Sequence, residues 1–112
     1  MIEETLSRIE SRLASTQHLT ERERDELTAL LRDLKQDLGL AADQPDHAES
    51  VGSLLRSTES AAHAALRPEQ DPELMKLALQ ELEESTQRFE ADHPRLVSVL
   101  RAIGKSLADI GI

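Results

Sequence analysis

One large ring, Phe89, stands in a chain of 112 residues that contains no Trp, no Tyr and no Cys. Any hydrophobic core must therefore be assembled from Leu, Ile, Val, Met and Ala, the material of helical bundles. β-Branched and aromatic residues are scarce while Leu, Glu, Arg, Ala and Gln abound, so local propensity favours helix over strand almost throughout. The expected fold is all-α: a small bundle of four or five short amphipathic helices arranged as antiparallel hairpins, without a sheet. The length fits one domain over residues 1–112 and leaves no room for a second core.

The spacing of apolar residues places the helices. Ile2, Leu6, Ile9 and Leu13 recur at steps of four and three and make one stripe, with Glu3 and Glu4 at the positive end of the helix dipole. Short polar residues from Ser15 onwards break the pattern. Thr20 followed by Glu23 is a capping-box sequence that opens a second helix, whose stripe is Leu27, Leu31, Leu34 and Leu38, widened by Leu30. Gly39 followed by Leu40 has the form of a glycine stop with its hydrophobic contact. Residues 41–47 read as a polar connector in which Pro45 opposes a continuous helix. A third helix from Ala48 to Leu66 would carry Val51, Leu55, Thr58, Ala62 and Ala65 on one side, a weakly apolar face, and Pro68 ends it. Residues 41–71 are accordingly expected to form a loosely attached insertion or hinge. Asp71 and Pro72 then supply an N-cap and a first helical position for a fourth helix, with Met75, Leu79, Leu82, Thr86 and Phe89 on its stripe, to about Ala91. Pro94 breaks the chain at His93, and the last helix has the cleanest stripe of all: Leu96, Leu100, Ile103, Leu107 and Ile110, supported by Val97 and Val99. Seven-residue spacings recur but are cut by caps and prolines, which favours a short bundle over a long rod.

Charge narrows the function classes. With 13 Lys and Arg against 22 Asp and Glu, the formal net charge is -9, and with one aromatic ring the chain lacks both the basic patch and the stacking platforms of nucleic-acid binders. Its helices lack the basic faces and aromatic anchors of bilayer-surface helices, and no apolar run approaches the roughly 20 residues of a membrane span. No nucleic acid and no membrane are expected as partners. The absence of Cys removes disulfides and thiolate chemistry, and Met-Ile-Glu-Glu carries acid where a secretory signal carries base, so a cytoplasmic location is expected.

The segment Arg88-Phe89-Glu90-Ala91-Asp92-His93-Pro94-Arg95-Leu96, continued through Leu100, Ile103, Leu107 and on to Ile112, resembles a family of short uncharacterised bacterial helical proteins, a domain-of-unknown-function family. The N-terminal helical hairpin is similar to that family as well; the 41–71 middle is not part of the resemblance. The resemblance implies a small helical protein and carries no activity, cofactor or catalytic residue onto these positions.

Candidate chemistry is sparse. Glu90 and His93 have the Glu-x-x-His spacing of helices that hold di-metal centres, but one copy is half of the paired motif and His93 lies at the Pro94 break. Glu59 and His63, four apart, share a helix face, as surface pairs usually do. His18 and His47 fall in connectors and read as solvated loop residues. No nucleophile elbow, phosphate loop or Rossmann fingerprint occurs. No catalytic, cofactor-binding or metal residue is therefore expected, and no enzyme. Arg88, Arg95, Arg101 and Lys105 could form a local basic strip around the last two helices, in contrast with the acidic cluster of Glu81, Glu83 and Glu84; the favoured reading is a mixed solvent face.

The leading expectation is an interaction module that self-associates or binds a protein partner through apolar helix faces, with a homodimer favoured because short helices need additional burial. Its candidate interface is the last stripe: Phe89, Leu96, Leu100, Ile103, Leu107 and Ile110. The alternatives are an acidic regulator or inhibitor of a basic protein and, third, a metal-dependent enzyme using Glu90 and His93.

Overall fold

The computed structural model describes residues 2–42, 48–67, 69, 71–91 and 93–111, so the readings of Pro45, His47 and Pro68 lie outside the described residues. It is an all-α bundle of five helices: α1 (Ile2–Ser15), α2 (Glu21–Ala42), α3 (Ala48–Ala65), α4 (Pro72–Gln87) and α5 (Pro94–Gly111). No strand occurs among the described residues.

Local signals set most helix ends. The Thr20 amide donates to Glu23 Oε1 at 3.0 Å and the Glu23 amide to Thr20 Oγ1 at 3.1 Å, the reciprocal pair of a capping box. Asp71 Oδ1 accepts from the amides of Glu73 and Leu74 at 3.0 and 3.3 Å, with Pro72 in the first turn where it has no donor to lose. The C-terminal carbonyls of α1 are served from α2: the Arg24 guanidinium donates to the carbonyls of Thr16 at 2.7 Å and Leu13 at 3.4 Å. With Lys35 paired to Glu3 at 3.7 Å, numbers fall on one helix as they rise on the other, the signature of an antiparallel hairpin.

Two helix ends differ from the sequence reading. Gly39 does not stop α2, which continues to Ala42, and no described glycine has a positive φ. Leu40 remains 64% exposed, so the contact that accompanies a glycine stop is absent and nothing holds the residue in a left-handed cap. α4 ends at Gln87 rather than near Ala91, because the Phe89 and Glu90 amides bond three residues back, to Thr86 and Gln87, tightening the chain into a turn.

α5 packs against α2, α3 and α4. Sequence periodicity understated the anchorage of α3. That helix touches every other helix, burying Val51, Leu54 and Leu55 together with Ala61, Ala62, Ala64 and Ala65. Small side chains bring helix axes close, so little apolar bulk per residue still yields a continuous contact. Its buried polar residues are satisfied: Ser57 and Ser85 share a buried hydroxyl bond of 2.8 Å between α3 and α4, and Thr58 donates to the Leu54 carbonyl within its own helix.

Candidate functional site

The stripe expected at an interface lies in the core. Phe89, Leu96, Leu100, Ile103 and Leu107 are each 1% exposed and Ile110 is buried, all covered by helices of the same chain. A clean stripe states only that something covers it; here α2, α3 and α4 do so.

The remaining candidates are engaged in pairs. Glu90 accepts from Arg101 at 3.1 Å, and the same guanidinium nitrogen reaches Glu83 at 3.2 Å, clamping α4 and the turn after it to α5. The Glu90 and Glu83 hydrogen bonds push the Arg101 pKa upwards. The His93 ring lies 6.1 Å from that of Phe89 at a tilted angle, and no group of three or more His, Asp or Glu that would hold a metal ion occurs among the described residues. Arg95 meets Asp37 of α2 at 3.7 Å. Asp37 is largely buried and its Oδ2 has no hydrogen-bond partner, so Arg95 is the charge that compensates it. Two of the four cations read as one mixed face, Arg95 and Arg101, are thus engaged in separate pairs that join different elements of the bundle.

An open surface exists elsewhere. α1 and α4 both lie against α3 while their backbones stay apart, which leaves a groove of about 1410 Å³ with α3 as its floor. The α1 wall carries Ser7, Ser11 and Ser15, one turn apart, beside Arg8 and Arg12; the floor carries Glu59, Ala62, His63 and Leu66; the α4 wall carries Leu74, Leu77, Ala78 and Glu81. His18 lies at one end. Leu77 is 59% exposed on this wall, and Leu40 is the other exposed large apolar residue among those described.

Two polar rungs hold the α1 wall to the floor. Arg8 donates through Nε to Glu59 Oε2 at 2.7 Å and through Nη2 to Oε1 at 3.4 Å, while Arg12 Nη1 contacts His63 Nδ1. The Glu59 hydrogen bond and charge raise the Arg8 pKa above its already high ordinary value. Residue numbers rise together across both rungs, so α1 and α3 run parallel. Glu59 and His63 do share a helix face, as their spacing predicts, yet each faces a residue of α1 rather than the other.

Sequence reasoning missed this groove. Its rungs join residues 51 positions apart, beyond the reach of any local pattern. The legible signal was on α4, where Leu74 and Leu77 lie off the stripe formed by Met75 and Leu82. A second apolar row on a helix whose first row is buried marks a face awaiting cover.

No helix among the described residues is long and apolar enough to cross a membrane. Residues 52–112, just over half of the chain, match the family model described as a domain of unknown function (DUF4404). The matched span includes the C-terminal segment that carried the resemblance and most of α3, and does not reach the N-terminal hairpin. No curated protein and no solved structure matches the chain.

Proposed function

We propose, from the premise that the chain belongs to the DUF4404 family of domains of unknown function, that it is a non-enzymatic interaction module whose α1–α3–α4 groove receives a helical surface of a protein partner. One observation carries this reading: two neighbours of α3 leave a gap between them, and an exposed leucine, Leu77, stands on its wall. Helices pack at axial distances of about 8–10 Å by setting side-chain ridges into grooves. A groove floored by one helix and walled by two offers such a seat, in the mode by which amphipathic helices are recognised elsewhere. The ionisable groups on its α1 side, Arg8 with Glu59 and Arg12 with His63, tie α1 to α3, which supports a scaffolding role over a chemical one. The cysteine-free composition supports action in the cytoplasm.

The experiment places a photo-crosslinking side chain at Leu77, in the groove, or at Gln36, on α2 outside it, and irradiates the protein in its native cells. A discrete adduct from position 77 that is missing from position 36 is the expected result. No adduct from Leu77, or the same products from both positions, would refute groove docking.

A further inference from the structure

Resting on the docking reading above, we propose that the helical surface received by the groove is α4 of a second copy of this chain, the α4 wall of each copy entering the other's groove beside its α1 wall about a two-fold axis parallel to the groove. Such an interface places the same patch on both copies, so the patch must be complementary to itself. The two walls have opposite character. α1 presents Arg8 and Arg12 beside small serines, and α4 presents Glu81 beside Leu77.

Contacts within the chain fix the levels of these side chains. The Arg8–Glu59 and Arg12–His63 rungs set α1 parallel to α3, while the buried Ser57–Ser85 bond sets the register of α3 against antiparallel α4. One turn onward from Ser57 is Ala61, and one turn back from Ser85 is Glu81. Glu81 therefore stands level with the midpoint of Glu59 and His63, and so with the midpoint of Arg8 and Arg12 across the groove. Among the described residues no ion pair joins Glu81 to α1 within the chain.

Rotation about an axis along the groove preserves level and exchanges the walls. The α4 wall of each copy then lies antiparallel to the α1 wall of the other, and each Glu81 arrives between the other copy's Arg8 and Arg12. Leu77, one turn further on, arrives level with Ser11 and Ser15, whose small side chains leave room for it. Two grooves with like walls would repel in this arrangement; one cationic and one acidic wall attract.

The test is sedimentation equilibrium of the full chain across micromolar concentrations, with Glu81→Arg, Arg12→Glu and the combined variant beside it. Glu81 and Arg12 are exposed, so circular dichroism should report an unchanged fold. The expected result is a reversible dimer that each single reversal weakens about tenfold or more, and a combined variant that associates at least about fivefold more tightly than Glu81→Arg alone. A monomeric wild type, a dimer indifferent to Glu81→Arg, or a combined variant no better than Glu81→Arg would overturn the proposal. A monomer that still gives a discrete Leu77 adduct, of mass other than twice 12.5 kDa, overturns self-association and leaves groove docking standing; a monomer with no adduct removes both.

Discussion

Replacing Gly39 by Ala distinguishes two conformations of α2 by the sign of its effect. A glycine that terminates a helix occupies the left-handed region, where an added Cβ costs about 1 kcal/mol or more. Inside a helix the balance reverses, because glycine is about 0.8–1.0 kcal/mol worse than alanine there. Gly39 lies within α2 without a positive φ, Leu40, Ala41 and Ala42 continue the helix, and a Cβ built at Gly39 meets nothing within 4 Å. No steric term opposes the substitution, and the gain comes from propensity and from the smaller backbone entropy of the unfolded chain. With the helix end so near, fraying trims it to about 0.5–1 kcal/mol. An unfolding entropy of about 2.1 cal/mol/K per residue makes 1 kcal/mol worth about 4 °C for a chain of 112 residues, so the expected rise in Tm is about 2–4 °C. The chain has no Trp, so far-ultraviolet circular dichroism is the probe, with a urea midpoint at unchanged m as the second measurement. A fall in Tm of similar size would show that α2 stops at Gly39 and that the continuous helix is wrong.

Two further substitutions test the core. Phe89→Ala removes the largest fully buried side chain and is expected to cost about 3–5 kcal/mol, a loss that should be independent of protein concentration because the ring is covered by its own chain; a loss appearing only where copies associate would return Phe89 to an interface. Ser57→Ala or Ser85→Ala alone is expected to cost about 1 kcal/mol by stranding the other hydroxyl in a buried seam, whereas the double substitution should cost less than the sum of the two. Additive costs in the urea midpoints would mean the two hydroxyls are not coupled.

Legibility followed the range over which each signal acts. Thr20 with Glu23 and Asp71 with Pro72 announced helix starts because capping joins residues two or three positions apart. The leucine rows of α2 and α5 announced buried faces because helical periodicity is local too. Gly39 was misread since glycine marks a helix end only when the backbone turns left-handed there, a choice that residue identity leaves open. α3 was understated for a related reason: apolar patterning counts bulk, whereas Ala61, Ala62, Ala64 and Ala65 contribute by close approach, visible only once α4 is in place. The last stripe illustrates a further limit. Leu96 to Ile110 had to be covered, but whether the cover belonged to the same chain depended on how four other helices were arranged.

That arrangement separates the residues that hold the bundle together from those that line the open groove. The large apolar side chains of α5 are spent inside the chain, and the cations first grouped with them are divided, Arg101 between Glu83 and Glu90 and Arg95 onto Asp37. The groove is built differently. Its α1 wall is joined to the floor by Arg8–Glu59 and Arg12–His63, exposed rungs that fix direction and register and add little stability, while Leu6, Ile9 and Leu13 supply the burial that holds α1 in the bundle. Substitutions at Glu81 and Leu77 should therefore move association and leave the Tm of the dissociated chain unchanged, and substitutions at Phe89 should move Tm whatever the association state. The groove also joins two parts of the chain with different relationships: its floor and α4 wall lie within the 52–112 span shared with the family, and its α1 wall lies outside it. The acidic wall thus belongs to the family-matched half and the cationic wall to the N-terminal hairpin, so self-complementarity requires both. A family member that lacks basic residues at the positions of Arg8 and Arg12 should not form this dimer, even where its counterparts of Leu77 and Glu81 are unchanged.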